Sequence, residues 1–164
     1  MTSTTMFDSV LMGSIGDLIA QKVRKTHAPS VQGRGFAEYV HGYQLVEKLL
    51  PVCREHGLCI ELFDGEEEYT PITSPEQMIQ HMKECDTEYL LIYDGEIERD
   101  EDNDNTFISI VLVYGNCADD AEIGRGEMVA DWGGVTEWFN IFDPVIDDFV
   151  NAYYINKNAE EVTV

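Results

Sequence analysis

The chain has 164 residues, 44% of them hydrophobic, and its 32 acidic and 10 basic side chains leave a formal charge of −22 at neutral pH. This length and apolar fraction suffice for a hydrophobic core and exclude general disorder. The charge repels nucleic acid and anionic membrane as direct ligands and attracts basic protein surfaces.

The charge is unevenly placed. Residues 1–57 hold six basic and five acidic side chains, whereas residues 58–164 hold four basic and 27 acidic. We expect one domain over 1–164, with a near-neutral helical part over 1–57 and a strongly acidic α+β part over 58–164. No apolar run approaches the ~20 residues of a membrane span. Met1 to Met6 lack the basic region of a secretory leader. The expected location is therefore the cytoplasm. Cys53, Cys59, Cys85 and Cys117 form no dense framework, so reduced thiols are expected there.

Phe7, Leu11, Ile15 and Leu18 recur at helical spacing and predict a helix over 5–26. Its end gathers Lys22, Arg24, Lys25 and, just past it, His27, which suit the negative end of a helix dipole. Pro29, Ser30, Gly33 and Gly35 predict a loop over 28–35. A second helix follows, with Phe36, Val40, Tyr43, Val46, Leu50 and Cys53 on one face. Pro51 should kink or restart it, because its ring opposes the Glu47 carbonyl. Gly57 suits the residue that ends it in a left-handed conformation.

Leu58 to Phe63 and Glu66 to Thr70 predict strands, and Asp64-Gly65 between them predicts a two-residue hairpin. Ser74, Pro75 and Gln77 together predict a capped helix start, with Met78, Ile79, Met82 and Cys85 on its apolar face. Two strands follow, Glu88–Tyr93 and Thr106–Tyr114. The second is almost continuously apolar, as for a strand covered on both faces. From Gly115 to Gly134 a loop is expected, with a short strand near Met128-Val129-Ala130 and Trp132-Gly133-Gly134 leading into a helix. Trp138, Phe142, Val145, Phe149 and Tyr153 continue at helical spacing. Asp143-Pro144 is expected to restart that helix, and the tail is expected to fray from Asn156. The predicted order is α-α-β-β-α-β-β-(β)-α-α. The fold class is α+β, with an antiparallel or mixed sheet of four to five strands packed with N-terminal and C-terminal helices.

The sequence carries no catalytic motif or cofactor fingerprint. Asp100, Asp102 and Asp104 begin like a calcium loop, but Asn105 stands where glycine belongs and Val111 where the bidentate glutamate belongs. Cys53 and His56, with His81 and Cys85, match no common zinc spacing. His41 lies between Tyr39 and Tyr43 with no nucleophile marked beside it. Gly33-Arg34-Gly35 and Gly124-Arg125-Gly126 are not phosphate-binding loops. We therefore expect no metal, no cofactor and no enzymatic activity.

The strongest lead is electrostatic. The connection between the two central strands gathers Asp94, Glu96, Glu98, Asp100, Glu101, Asp102 and Asp104 against Arg99 alone. With Glu66, Glu67 and Glu68, these carboxylates are the expected contacts for a basic partner. Asp143, Asp147 and Asp148, and the aromatic anchors Trp132 and Trp138, are secondary candidates. Duplex DNA presents one charge per ~1.7 Å. Carboxylates on one strand face recur about every 6.8 Å and can meet the arginines and lysines that hold phosphates. The expectation is a non-enzymatic inhibitor of a basic, nucleic-acid-binding protein. It would act as a DNA mimic, as the acidic anti-restriction and anti-CRISPR proteins of phages and plasmids do. The alternatives are an immunity protein against a basic toxin nuclease and a small enzyme or metal-binding module.

Overall fold

A computed structural model describes residues 17, 18, 21, 32–83, 87–99, 105–113 and 128–162, with side chains from residue 38 onward in the first complete helix and to residue 152 in the last. The elements are α1 (Gln32–His56), β1 (Cys59–Phe63), β2 (Tyr69–Ile72), α2 (Pro75–His81), β3 (Thr87–Tyr93), β4 (Thr106–Val113), β5 (Val129–Gly134) and α3 (Thr136–Val162). The fold is α+β. The strands form one sheet in the order β2-β1-β3-β4-β5, with every neighbouring pair antiparallel. Most of the helix expected over 5–26 lies outside the described residues; residues 17, 18 and 21 are helical.

The strand period of two sorts the sheet into faces. Ile60 pairs with Ile72 and Ile92, and Leu62 with Leu90. Leu90 and Ile92 pair in turn with Ile110 and Ile108. All of these are buried in one core with Tyr39, Tyr43, Leu45, Val46, Leu49 and Cys53 of α1, Met78 and Ile79 of α2, and Phe142, Ile146 and Phe149 of α3. The three helices therefore cover one face. On the other face lie Cys59, Glu61, Phe63, Tyr69, Tyr89, Leu91, Tyr93, Ser109, Val111 and Val113, by the same register. The expectation that β4 is covered on both faces fails: Ile108, Ile110 and Leu112 are buried, while Ser109, Val111 and Val113 are half-buried. Its apolar run reflects a central strand whose second face is lined by side chains of neighbouring strands.

Several boundaries move. α1 starts at Gln32, so residues 32–35 are helical rather than loop, and residues 28–31 lie outside the described residues. Both α1 and α3 run on through a proline, at Pro51 and Pro144. Each proline is exposed, and buried residues on either side hold the helix to the core: Leu50 and Cys53 in one case, Phe142 and Ile146 in the other. Packing thus overrides the lost N–H bond. The C-terminal helix is one element continuing to Val162, and Asn156 does not end it.

α1 ends as expected. Gly57 has φ +69°, the Leu58 N–H donates to the Cys53 carbonyl at 2.8 Å, and the Gly57 N–H donates to Arg54. This is the paired closure that satisfies the last free carbonyls of a helix. At α2, Ser74 Oγ accepts from the Gln77 N–H. The reciprocal arm reaches one residue further back than a capping box: Gln77 Oε1 accepts from the N–H and hydroxyl of Thr73, at 2.7 and 2.8 Å.

β5 is longer than expected and takes in Trp132-Gly133-Gly134. Gly134 fits because β5 runs very close to β4 there. A methyl group on it would lie 2.1 Å from the Phe107 carbonyl oxygen. That carbonyl accepts from the Val135 N–H. The sheet's rims are β2, which contains Pro71, and β5, where Asp131 Oδ1 accepts from the Trp132 N–H.

Candidate functional site

The register separates the two acidic stretches. Phe63 pairs with Tyr89 and Cys59 with Tyr93, so the β1–β2 turn and the β3–β4 connection leave opposite ends of the sheet. Four strand steps, about 14 Å, lie between those pairs. Glu66, Glu67 and Glu68 are therefore not gathered with Asp94, Glu96 and Glu98. Among the described residues, the two stretches frame the face opposite the helices from its two ends. Asp100, Glu101, Asp102 and Asp104 lie outside the described residues.

At the first end the hairpin exists, but its loop spans five residues, Asp64 to Glu68, and β2 begins at Tyr69. Asp64 explains the difference. Its Oδ1 accepts from the N–H groups of Glu66, Glu67 and Glu68 at 2.9 to 3.1 Å. Its second oxygen and the Glu68 carboxylate both accept from Lys83 Nζ, at 3.0 and 2.7 Å. The Glu66 N–H bond first, then Lys83 and the other two N–H groups, hold the Asp64 carboxyl well below the usual carboxylate range. The same carboxylates push the Lys83 ammonium up, Glu68 contributing most. Glu66 and Glu67 remain exposed.

At the second end Asp94 plays a similar part: its Oδ1 accepts from the Glu96 N–H at 3.0 Å. Beneath it sits Asn105, which is buried and donates from Nδ2 to the carbonyls of Asp94 and Ile97. Glu96 and Glu98 project outward. Arg99 turns back over the sheet instead. It forms an ion pair with Glu61 of β1 and donates to Thr106 Oγ1 at 3.3 Å. Its guanidinium carbon lies 4.0 Å from the Tyr69 ring centroid and 5.8 Å from that of Tyr93. The Glu61 side chain is 5% exposed. A carboxylate that deep is tolerated because a cation meets it.

Around this pair the face is aromatic. Phe63 stacks on Tyr69 at 4.2 Å and lies 5.9 Å from Tyr89. Tyr69 is 40% exposed. Burial, then Glu61 and Cys59, push the Tyr93 hydroxyl up. Sequence reasoning missed Glu61, Tyr69, Tyr93 and Thr106 as a set. The available signal was a lone charge in the apolar run of β1 together with the lone cation of the acidic connection.

The secondary candidates mostly have structural roles. Trp132 Nε1 donates to Asp143 at 2.8 Å, tying β5 to α3. Asp143 therefore anchors a tryptophan rather than capping a new helix. Trp138 stacks on Phe107 and meets His56 edge-on. Both tryptophans are half-buried. Asp147 and Asp148 are exposed, and Asp147 accepts from Asn151 Nδ2.

Among the described residues, no three His, Cys, Asp or Glu side chains converge as a metal site would require, and no helix is long and apolar enough to cross a membrane. His56 packs on Trp138, and Cys53 is buried, with burial pushing its thiol up to about 12. Tyr43, beside His41, is also pushed up to about 12, by burial first and then by Glu76 and Glu47. Comparison of the chain with protein-family models, curated proteins and solved structures finds no match.

Proposed function

We propose that this chain is a non-enzymatic binding protein that occupies and inhibits a basic, nucleic-acid-binding protein surface, in the manner of a DNA mimic. One observation carries the reading. Exposed carboxylates, Glu66 and Glu67 at one end and Glu96 and Glu98 at the other, frame a sheet face that no described helix covers. Carboxylates on two sides of an aromatic floor suit a surface that combines arginines and lysines with stacking groups. The formal charge of −22 steers such a partner in and turns nucleic acid away.

The test is capture from lysate at low and moderate salt, followed by competition with duplex DNA for the captured protein. The reading requires a basic partner whose DNA binding is lost as this chain is added. A partner that still binds DNA while bound here would overturn the mimic. Recovery of a toxin nuclease would identify the chain as an immunity protein.

A further inference from the structure

We infer that Glu61, Tyr69, Tyr93 and Thr106 form a guanidinium-binding site, that Arg99 fills it in the free chain, and that an arginine of the partner takes it over on binding. The last step rests on the basic partner proposed above. The site is built on four strands: Tyr69 on β2, Glu61 on β1, Tyr93 on β3 and Thr106 on β4. Its occupant belongs to a loop. Positions held by a paired sheet are more rigid than a position such as Arg99, which lies outside every strand. A preformed receptor with a loop-borne occupant is the arrangement in which one arginine can exchange for another.

The chemistry selects arginine. A flat guanidinium can lie over the Tyr69 ring while one terminal nitrogen, Nη2, donates to both the Glu61 carboxylate and the Thr106 hydroxyl. A lysine ammonium satisfies the carboxylate but leaves the stack empty. The Arg99 side chain is 25% exposed, so solvent reaches the site, and the exposed Glu96 and Glu98 of the same connection add to the field that draws cations. Because Arg99 competes from within the chain, an incoming arginine binds more weakly than the bare site would allow.

The experiment uses the full-length chain, Arg99→Ala, and the double variant Glu61→Gln with Arg99→Ala. Each is titrated with arginine amide and with lysine amide at equal ionic strength, following binding and melting temperature. Arginine amide should bind Arg99→Ala about tenfold more tightly than wild type and raise its melting temperature. Lysine amide should do neither, and the double variant should lose the preference. Should Arg99→Ala not fold, Arg99→Gln supplies the same comparison, since it removes the cation and the flat guanidinium while keeping a hydrogen-bond donor for Glu61. Equal responses to both amides, or to neither, would overturn the site. Short arginine and lysine peptides of equal charge form the second arm. Salt-dependent binding of both to wild type without an arginine preference would overturn the takeover and leave the basic-partner reading standing. No binding of either would remove the partner as well.

Discussion

In the turn from Asp64 to Glu68, the groups that fix the loop lie at the surface. Asp64 gathers three backbone N–H groups, and Lys83, its side chain 38% exposed, reaches across to it and to Glu68. In the connection from Asp94 to Asn105, the fixing groups lie underneath. Asn105 is buried, and Arg99 pairs with a carboxylate in the floor of the sheet. Both stretches read as acidic loops with one cation each nearby in sequence or space. The cation of the first meets carboxylates that water reaches, whereas that of the second meets a carboxylate only 5% exposed. The two ends should therefore respond differently to salt, acid and mutation.

The largest expected effect is at Arg99. Arg99→Ala leaves the Glu61 carboxylate buried without its cation and should cost about 3–5 kcal/mol in urea unfolding. Lys83→Ala should shift the midpoint far less, and 1 M salt should erase that shift, because the pair is exposed. Equal losses in the two variants would break the contrast.

Acid should act next, and at the first end. The Asp64 carboxyl is held below its usual range in the folded chain. Its contribution is therefore complete above the unfolded value near ~3.9 and is lost as pH falls through the lower folded value. Asp64→Asn should flatten the fall in melting temperature between pH 5 and pH 2. An unchanged slope would show that other carboxylates set it.

Association should separate the ends by steering. Glu66→Gln with Glu67→Gln, and Glu96→Gln with Glu98→Gln, should each slow capture of the partner severalfold and reduce its salt dependence, with little change in melting. If one pair is silent, the interface lies at the other end.

The smallest effect is local. A methyl group on Gly95 would lie 2.9 Å from Cys59 Sγ, so the connection rests directly on that thiol. Cys59 is exposed and Cys53 is buried; both are free thiols. Mass-mapped alkylation should label Cys59 before Cys53. Arg99→Ala should speed labelling of Cys59 a few-fold by loosening the connection, and Lys83→Ala should not.

The architecture was legible where side-chain pattern and local chemistry agreed. The capped start at Ser74, the stop at Gly57, the central strand pair and the stripe through Phe142 and Phe149 are all readable from spacing. The failures have physical causes. Asp143-Pro144 normally starts a helix, but Pro144 is exposed on a helix that runs through it and is held by its buried side. Asp-Gly normally makes a two-residue turn, but Asp64 organises five residues by accepting three N–H groups. Trp132-Gly133-Gly134 resembles a helix approach, yet Gly134 allows β5 to lie against the Phe107 carbonyl. The site was the least legible part. The Glu61–Arg99 pair joins positions 38 residues apart, and no local pattern records such a contact. Antiparallel register, invisible to composition, placed the two acidic stretches at opposite ends.

The rims of the sheet bear on how the protein behaves when crowded. A sheet grows by accepting another strand along an open edge, and repeated growth leads to fibrils. On β2, Pro71 offers no N–H to such a newcomer. On β5, the Trp132 N–H is already taken by the neighbouring Asp131 carboxylate. Each rim thus lacks a donor that a templated strand would need. A sheet face that no described helix covers can thereby be offered to a partner while each side gives a copy of the chain one hydrogen bond fewer to grow on.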